Sequence, residues 1–352
     1  MKITVSVRIS AFRFLAHSVT MTTKNFLFRF LAMCFLTSTG IFGFSPAYRT
    51  GALYRSKPKG RHALNANLIT FDLDDTIFPV GPVVADANKA LMQHLSALGC
   101  DTTQDEFMKT TKLIRTELAK DDKVITYTEL RKRAIRKEMM KYLDANDIND
   151  EIVSGSYDLW EEHRHMAAEK HLYPDTLSML RELKECHQDV VIAAITNGKG
   201  NPLKMDSIRE YFDYCVSGED DDVFPLRKPN EGIYNVALER FQELCENKGN
   251  TIVMDEQCWI HVGDDLANDV GASAKCGANA IWVDLEDGYN QTASKRDPNA
   301  PQPAWSTATK EEMETRKLMN EQALKYVTER VTTLEKLPMA VQMITKSVFQ
   351  SS

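Results

Sequence analysis

Two carboxylates and a hydroxyl follow the apolar run Leu68–Phe71. Asp72 and Asp74 are spaced i, i+2, and Thr76 follows at i+4. The apolar run is typical of a buried strand, and open α/β sheets bind ligands just beyond the carboxyl ends of their strands. A carboxylate placed there can act as a nucleophile, with a second one as its acid/base partner. A nucleophile and its acid/base partner at this strand end would both face a bound phosphate, although the string alone is only moderately specific.

A second strand pattern, Val190–Thr196, ends in a hydroxyl and a glycine-assisted turn. The hydroxyl of Thr196 and the backbone N–H of Asn197 are suited to hold phosphate oxygens. Lys228 stands just before a helix that is predicted to begin near Asn230. A cation at that position can neutralise a phosphate and an aspartate together.

A third strand pattern, Trp259–Gly263, runs directly into an acidic segment that contains Asp264 and Asp269. These two carboxylates are placed to meet the first pair around a divalent cation. Oxygen ligands, combined with substrate phosphate and waters, suit Mg²⁺. Each motif alone has an ordinary explanation, such as a helix cap, a turn, a surface lysine or a solvated loop. Four of them in this order are not expected by accident. We call them the first motif (Asp72–Thr76), the second (Thr196–Asn197), the third (Lys228) and the fourth (Asp264–Asp269).

The ordered set resembles the haloacid dehalogenase-like hydrolase superfamily over roughly residues 66 to 285, and again from about residue 330. The resemblance implies an α/β fold with a doubly wound, Rossmannoid parallel-sheet core. It also implies an inserted all-helical cap between the first and second motifs, which can close over the site and exclude water.

The resemblance also implies a role for each residue. Asp72 would attack phosphorus and become an aspartyl-phosphate. Asp74 would protonate the leaving oxygen and then activate water. Thr196 and Asn197 would hold the transferring phosphoryl group, and Lys228 would screen the nucleophile and the phosphate.

The implied cofactor is Mg²⁺, with three carboxylates and one main-chain carbonyl as the protein's contribution to its site: Asp72, Asp74 (through its carbonyl), Asp264 and Asp269. Asp75 and Asp265 are interpreted as local turn and cap residues. Asp74 also distinguishes branches of the superfamily, because the dehalogenase branch lacks this second aspartate. Its presence favours phosphoryl transfer.

Helical spacing dominates the region between the first two motifs. The predicted helices are Val84–Leu98, with Gly99 at the C-terminal cap, Thr103–Lys120, Thr128–Leu143 and Asp150–Lys170. We assign residues 83–171 to the cap, which the chain enters through a turn at Pro79–Pro82. Charged clusters at 131–133 and 161–165 are interpreted as solvated helix faces.

The core is predicted to comprise residues 66–82 and 172–338. A helix from Asp175 to about Cys186 and further strands at 214–217 and 280–283 complete a parallel sheet covered on both faces. Residues 286–328 form an insertion before the last strand, with a loop to about 305 and a charged helix at 309–329. A lid, an oligomer contact and a neutral surface elaboration all remain open for it. Residues 339–352 are predicted to be a C-terminal tail.

Charge is distributed unevenly along the chain. Residues 1–71 contain ten Lys and Arg but no Asp or Glu, which leaves the remainder with a net charge of −17. That acidity argues against nucleic-acid binding and against stable membrane association of the mature domain.

Residues 1–65 have the pattern of a targeting leader. An apolar core at 26–36 is too short for a span of ~20 residues, and Phe42-Gly-Phe44 and a basic, acid-free stretch follow it. The pattern resembles the bipartite leaders of complex plastids, and a simple secretory signal or signal anchor is the alternative. Seven scattered cysteines without a CxxC or zinc spacing indicate reduced thiols and weigh against secretion.

The amino-acid sequences of the first, second and fourth motifs resemble those of a group of helical-capped bacterial phosphatases. Members of that group act on 5-amino-6-(5-phospho-D-ribitylamino)uracil, the riboflavin precursor, and on FMN. We therefore predict a Mg²⁺-dependent phosphatase for a small phosphomonoester. Phosphoglycolate or 5′-nucleotide hydrolysis, a sugar phosphomutase and a non-catalytic binding module remain alternatives. A binding module is expected to have lost Asp72 or Asp74, and this chain keeps both.

Overall fold

The structure, a computed structural model, describes residues 66–120, 123–249, 258–285, 306, 308 and 310–350. The predicted leader at 1–65 lies outside these residues, as does the loop predicted from 286 to about 305. Both stay predictions.

A six-stranded parallel sheet of order β3-β2-β1-β4-β5-β6 forms the centre of the described chain. The strands are β1 (Leu68–Phe71), β2 (Val191–Thr196), β3 (Tyr214–Ser217), β4 (Trp259–Gly263), β5 (Asn279–Val283) and β6 (Val327–Val331). Every pair of neighbours is parallel. This order is that of a doubly wound sheet, so the predicted fold class is confirmed.

The helices of the described residues cover both faces of the sheet and build the cap. They are α1 (Val80–Ala97), α2 (Gln104–Lys120), α3 (Tyr127–Met139), α4 (Asp150–Lys170), α5 (Thr176–Cys186), α6 (Glu231–Asn247), α7 (Ala272–Lys275), α8 (Lys310–Ala323) and α9 (Leu337–Gln350). A π-helical turn at Leu266–Gly271 follows β4.

The three central strands end at the same edge of the sheet. β1 lies between β2 and β4, and Phe71 pairs with Ala194 on one side and Val262 on the other. All four residues of β1 are buried, as expected of a strand covered on both faces. The residues that follow these three strands are therefore brought together.

The cap consists of α1–α4 around its own apolar cluster, which includes Leu91, Phe107, Ile135 and Trp160. This agrees with the predicted helical insertion. Gly99 has a positive φ of 87° just after α1, which is the conformation that a helix C-terminus often requires.

The predicted turn at Pro79–Pro82 is wrong, because helix α1 already begins at Val80. Pro82 lies in the first turn, where a missing N–H costs nothing since the first N–H groups have no intrahelical acceptor. The N–H of Val80 instead donates to Asp75 Oδ1 at 2.8 Å. The chain therefore enters the cap domain directly through the first turn of α1, whose first N–H group is bound by Asp75.

Two predictions at the C-terminal end are also wrong. The charged helix ends at Ala323 rather than Glu329, and the last strand begins at Val327. Residues 339–350 of the predicted tail are instead helical, because α9 runs from Leu337 to Gln350. Leu337, Val341 and Ile344 recur at helical spacing and are buried against the main core.

The six cysteines within the described residues are free thiols, in agreement with the prediction of reduced cysteines. Across the same part of the chain, the structure contains no helix with both the length and the apolar character needed to cross a membrane.

Candidate active site

The acidic residues of the first and fourth motifs form one buried cluster at the carboxyl edge of the sheet. Carboxylate oxygens of Asp72, Asp264 and Asp269 all lie within 4.8 Å of one another. The ammonium of Lys228 donates to Asp72 Oδ1 at 2.5 Å and to Asp269 Oδ1 at 2.7 Å. Residues separated by up to 197 positions, and predicted to act together, are thus in direct contact or close to it.

One lysine cannot neutralise three carboxylates, and the pKa values reflect this imbalance. Burial, together with the charges of Asp269 and Asp74, raises the pKa of Asp72 to about 7, although Lys228 opposes the shift. Burial and the neighbouring carboxylates, Asp75 first among them, raise the pKa of Asp264 well above its ordinary value.

Lys228 and Asp269 form the well-matched pair of the cluster. Burial works against both charges, but the carboxylates of Asp269 and Asp72 raise the pKa of Lys228 above its ordinary value. Lys228 and then His261 likewise lower the pKa of Asp269. Negative charge is therefore in excess at Asp72 and Asp264, where a divalent cation can compensate it.

The cluster fits the predicted Mg²⁺ site. Its donors are hard oxygens without any sulfur or imidazole ligand among the described residues of the group, which is the donor set that Mg²⁺ prefers. Asp72, Asp264 and Asp269 would hold it with their side chains. The side chain of Asp74 is not part of this group, so its predicted contribution is limited to the main-chain carbonyl.

Gly263 allows the fourth motif to fold back on β4. A Cβ built on Gly263 would lie 2.4 Å from both Cβ and Cγ of Asp269, a distance that no side chain tolerates. The N–H of Asp265 donates to Asp269 Oδ2 at 3.0 Å, and Asp265 Oδ1 accepts from the N–H groups of Ala267 and Asn268 at 2.9 and 2.8 Å. Asp265 therefore caps the N-terminus of the π-helical turn, in agreement with the predicted capping role.

Thr76 joins the first motif to the fourth. Its hydroxyl accepts from the N–H of Asp264 at 3.1 Å and lies 3.3 Å from Asp264 Oδ1. Asp75, which lies between Asp74 and Thr76, adopts a positive φ of 62°. Its side chain accepts a hydrogen bond from the N–H of Val80. The turn role predicted for Asp75 agrees with this geometry.

The second and third motifs are linked through an amide side chain. Thr196 is buried at the end of β2. Asn197 donates through Nδ2 to the Lys228 carbonyl at 3.0 Å and accepts from the Lys228 N–H at 2.8 Å. The side chain of Asn197 thus holds the lysine segment, a role that was not predicted. Asn230 caps α6 by accepting from the N–H of Gly232 at 2.8 Å, as expected.

His261 lies next to the cluster, and the sequence analysis did not predict a role for it. Its Nδ1 lies 2.8 Å from the hydroxyl of Thr70, and its Nε2 lies 3.5 Å from Asp269 Oδ1. Burial lowers the pKa of His261, which favours a neutral ring. The alternating side chains of β4 place His261 on one face of the sheet, but only the tertiary structure brings Asp269 over it.

Asp74 lies on the cap side of the cluster, and a cap arginine binds it. The side chain of Asp74 is 31% exposed, and Arg164 of α4 donates from Nη2 to its two oxygens at 2.7 and 3.0 Å. Arg164 itself is only 4% exposed.

The interpretation of residues 161–165 as a solvated face is therefore wrong, because Arg164 and His165 are both buried. A signal was present, since Val153, Tyr157 and Trp160 place Arg164 on the buried face of α4 by their three- and four-residue spacing. The cluster 131–133 is divided in the same way. Arg131 lies 3.6 Å over the ring of Trp160, whereas Arg133 is exposed.

Helix α8, in the predicted insertion, packs against the π-helical turn of the fourth motif. Arg316 forms an ion pair with Asp265, and Asn320 Oδ1 accepts from the N–H of Ala267 at 2.9 Å. A separate ion pair of 2.6 Å joins Glu312 to Arg115 of the cap. The insertion is thus in contact with both the fourth motif and the cap.

We predict that Arg316→Gln lowers the free energy of unfolding by about 1–3 kcal/mol, because it leaves the buried carboxylate of Asp265 without its cationic partner. Lys317→Gln removes the same charge from the exposed face of α8 and should have an effect within about 0.5 kcal/mol. Urea denaturation of both variants measures the difference. Equal losses in the two would show that the ion pair contributes nothing.

A surface groove along the outer side of α4 contains none of the predicted site residues. Acidic side chains line most of it, including Asp158, Glu161, Glu162 and Glu169, together with Lys204. This negative lining disfavours phosphate, so the groove is not the substrate site.

Comparison with known families agrees with this geometry. Residues 66–277 match the family model described as haloacid dehalogenase-like hydrolase. That segment is more than half of the chain and contains all four motifs. The chain belongs to the haloacid dehalogenase-like hydrolase family, and the resemblance predicted from the motifs is confirmed.

Two curated relatives are phosphatases. The chain is 24% identical over 241 residues to 5-amino-6-(5-phospho-D-ribitylamino)uracil phosphatase YigB of Escherichia coli, covering 66% of this chain and 87% of that protein. It is 22% identical over 231 residues to a ribulose-1,5-bisphosphate 5-phosphatase of Halopiger xanaduensis, covering 65% and 89%. The protein is thus a hydrolase of this family with phosphatases among its relatives.

A solved structure supports the fold. The chain superposes on a 2-haloacid dehalogenase from Pseudomonas syringae with a TM-score of 0.55 and 19% identity, over 79% of this chain and 99% of the other. At that identity, the likeness concerns architecture alone.

Proposed function

We propose that this chain is a Mg²⁺-dependent phosphatase that hydrolyses a small phosphomonoester through an aspartyl-phosphate. One observation carries the proposal. Asp72 is held by Lys228 inside the acidic cluster, while Asp74, two residues later, lies outside it on the cap side. The same strand end thus offers a carboxylate for attack and a second carboxylate for proton transfer.

In the first step, an oxygen of Asp72 attacks phosphorus and the bond between phosphorus and the ester oxygen breaks. Asp74 transfers its proton to that oxygen, so the leaving group departs as a neutral alcohol. Thr196 and the backbone N–H of Asn197 hold the phosphoryl oxygens, and Lys228 offsets the negative charge between nucleophile and phosphate. Bound Mg²⁺ supplies further charge neutralisation at the phosphoryl group.

In the second step, Asp74 is a carboxylate and accepts a proton from water. The water oxygen attacks phosphorus, the acyl-phosphate bond to Asp72 breaks, and inorganic phosphate leaves. Asp72 returns as a carboxylate and Asp74 as an acid, so the cycle closes.

The position of Asp74 favours this reaction over carbon–halogen hydrolysis. A halide leaves as a stable anion and needs no proton, whereas an alkoxide is a poor leaving group without one. A chain that only displaced halide would need no acid beside the nucleophile in the first step.

The substrate proposed first is 5-amino-6-(5-phospho-D-ribitylamino)uracil or FMN, which the motif wording and the Escherichia coli relative support. Phosphoglycolate and 5′-nucleotides are the alternative esters. A phosphomutase would use the same core residues with a bisphosphate primer. A phosphate-release screen over these compounds separates the esters, and isomer formation from a sugar phosphate with its bisphosphate separates the mutase.

Phosphate release should require Mg²⁺ and disappear in EDTA, because Asp72 and Asp264 cannot both stay ionised next to a phosphate without a cation. Addition of Mg²⁺ in excess of EDTA should restore the rate. The addition should also raise the melting temperature of the free protein, since the ion binds the folded cluster alone. Full activity in a chelated, metal-free preparation would refute the proposed mechanism.

A further inference from the structure

Arg164 lies where two catalytic loops meet the cap. A Cβ built on Gly200, in the loop after β2, would lie 3.0 Å from Arg164 Nη1 and 3.0 Å from Leu73 Cδ1. The guanidinium is therefore packed against backbone on the core side while its Nη2 binds Asp74. Arg164 belongs to the cap and Asp74 to the core, so the ion pair between them joins the two parts of the protein.

The nitrogen that lies nearest Gly200, Nη1, has no partner of its own among the described residues. Nη1 is buried, and no atom of the described residues accepts a hydrogen bond from it. A buried cationic donor is costly unless an acceptor reaches it. This nitrogen belongs to the same planar guanidinium that binds Asp74. We therefore expect the missing acceptor to lie close to Asp74, where the proposed proton transfer takes place.

A second cap arginine increases the positive charge in this region. Arg131 of α3 is half-buried and donates from Nη1 to Asn88 Oδ1 at 3.0 Å. Burial lowers its pKa to about 9, and the charge of Arg164 adds to that effect.

The carboxylate that faces Arg131 from the core does not offset this charge through a direct contact. Glu219 attracts Arg131 electrostatically, but its two oxygens accept from the N–H of Thr128 at 3.2 and 3.3 Å. The hydroxyl of Thr128 also donates to it. The carboxylates that interact with these two arginines, Asp74 and Glu219, thus already have hydrogen-bond donors.

We infer that Arg164, with Arg131 behind it, forms a subsite for a second acidic group on the substrate. This inference rests on the proposed phosphatase reaction and specifies its substrate class. Asp74 gives its proton to the ester oxygen, so a group bound by Arg164 Nη1 belongs to the leaving alcohol beyond that oxygen. The preferred substrates are then phosphomonoesters whose alcohol carries a carboxylate or a second phosphate, groups that suit a guanidinium fork. This preference places phosphoglycolate and bisphosphates ahead of the riboflavin precursor and FMN, whose alcohols carry neither group.

The test compares matched pairs of esters with Mg²⁺ present. Phosphoglycolate is paired with its uncharged amide, and propane-1,3-diol bisphosphate with 3-hydroxypropyl phosphate. The wild-type protein should prefer the acidic member of at least one pair by about 10- to 100-fold in kcat/KM. The pair that shows the preference distinguishes a carboxylate from a second phosphate.

Variants identify the residue responsible. Arg164→Gln should bring the preference to within about threefold, and Arg164→Lys, which keeps the charge without the fork, should retain part of it. Arg133→Gln removes an exposed arginine of the same cap and should leave the preference intact. Circular dichroism verifies the fold of each variant.

Three results would overturn the inference or its basis. Equal kcat/KM for both members of both pairs in the wild-type protein contradicts the subsite, even if the variants fail to fold. Equal loss on acidic and neutral esters in Arg164→Gln reduces Arg164 to a positioning residue for Asp74. Absence of phosphate release from every ester, including p-nitrophenyl phosphate, instead refutes the proposed hydrolysis and the subsite with it.

Discussion

Asp72→Asn is expected to lower kcat for phosphate release by about 10⁴-fold or more, the scale on which loss of a covalent nucleophile acts. An amide nitrogen or oxygen cannot form the acyl-phosphate, so no later step can occur. The fold should persist, because Lys228 keeps its 2.7 Å bond to Asp269 and one charge is removed from a crowded cluster.

Initial rates with the best ester from the screen measure the effect, and a denaturation curve verifies the fold. Asp221→Asn makes the same change at an exposed position and serves as the control. A rate within tenfold of the wild-type value, roughly 1.4 kcal/mol in barrier height, would show that Asp72 is not the nucleophile.

Asp74→Asn is expected to have a large effect that depends on the leaving group. Alkyl phosphates should lose about 10²- to 10⁴-fold in kcat/KM, because their alkoxide needs a proton. p-Nitrophenyl phosphate should lose far less in the first step, since its phenolate leaves without one. Hydrolysis of the intermediate still needs a base, so the phosphoenzyme should accumulate.

Rapid-quench measurement of covalent phosphate and of p-nitrophenolate release separates the two steps. A burst of p-nitrophenolate followed by slow turnover is the expected result. The same fractional loss for alkyl and aryl esters, without a burst, would assign Asp74 to structure or substrate binding.

Most of the catalytic set could be recognised in the sequence because it depends on local order. A buried strand is short and apolar, and the residue after it is at the sheet edge whatever the rest of the chain does. That is why the sequence alone predicts one site for Asp72, Thr196 and Asp264, which lie at the ends of three separate strands. Lys228 lies between β3 and α6, and its 2.5 Å contact with Asp72 brings it to the same edge of the sheet.

Local pattern also predicted the cap helices and the start of α6 at Asn230, because helix periodicity and side-chain caps are properties of neighbouring residues. It failed at Pro79–Pro82, where proline was interpreted as a turn. The N–H groups of a first helical turn have no intrahelical acceptor, so proline fits there without loss. It failed again after Leu337, where the apolar spacing of α9 was overlooked.

Arg164, Arg316 and His261 depend on contacts between segments far apart in the chain. Nothing near Arg164 indicates that Asp74, 90 positions earlier, accepts from it, and nothing near Arg316 indicates Asp265. The order of strands and helix caps along the chain specified the residues that we propose as the nucleophile, the phosphate-binding turn and the metal ligands. The packing of cap and insertion helices decided which charges surround Asp74 and the fourth motif, because a charged helix residue is solvated or buried according to what another segment places over it.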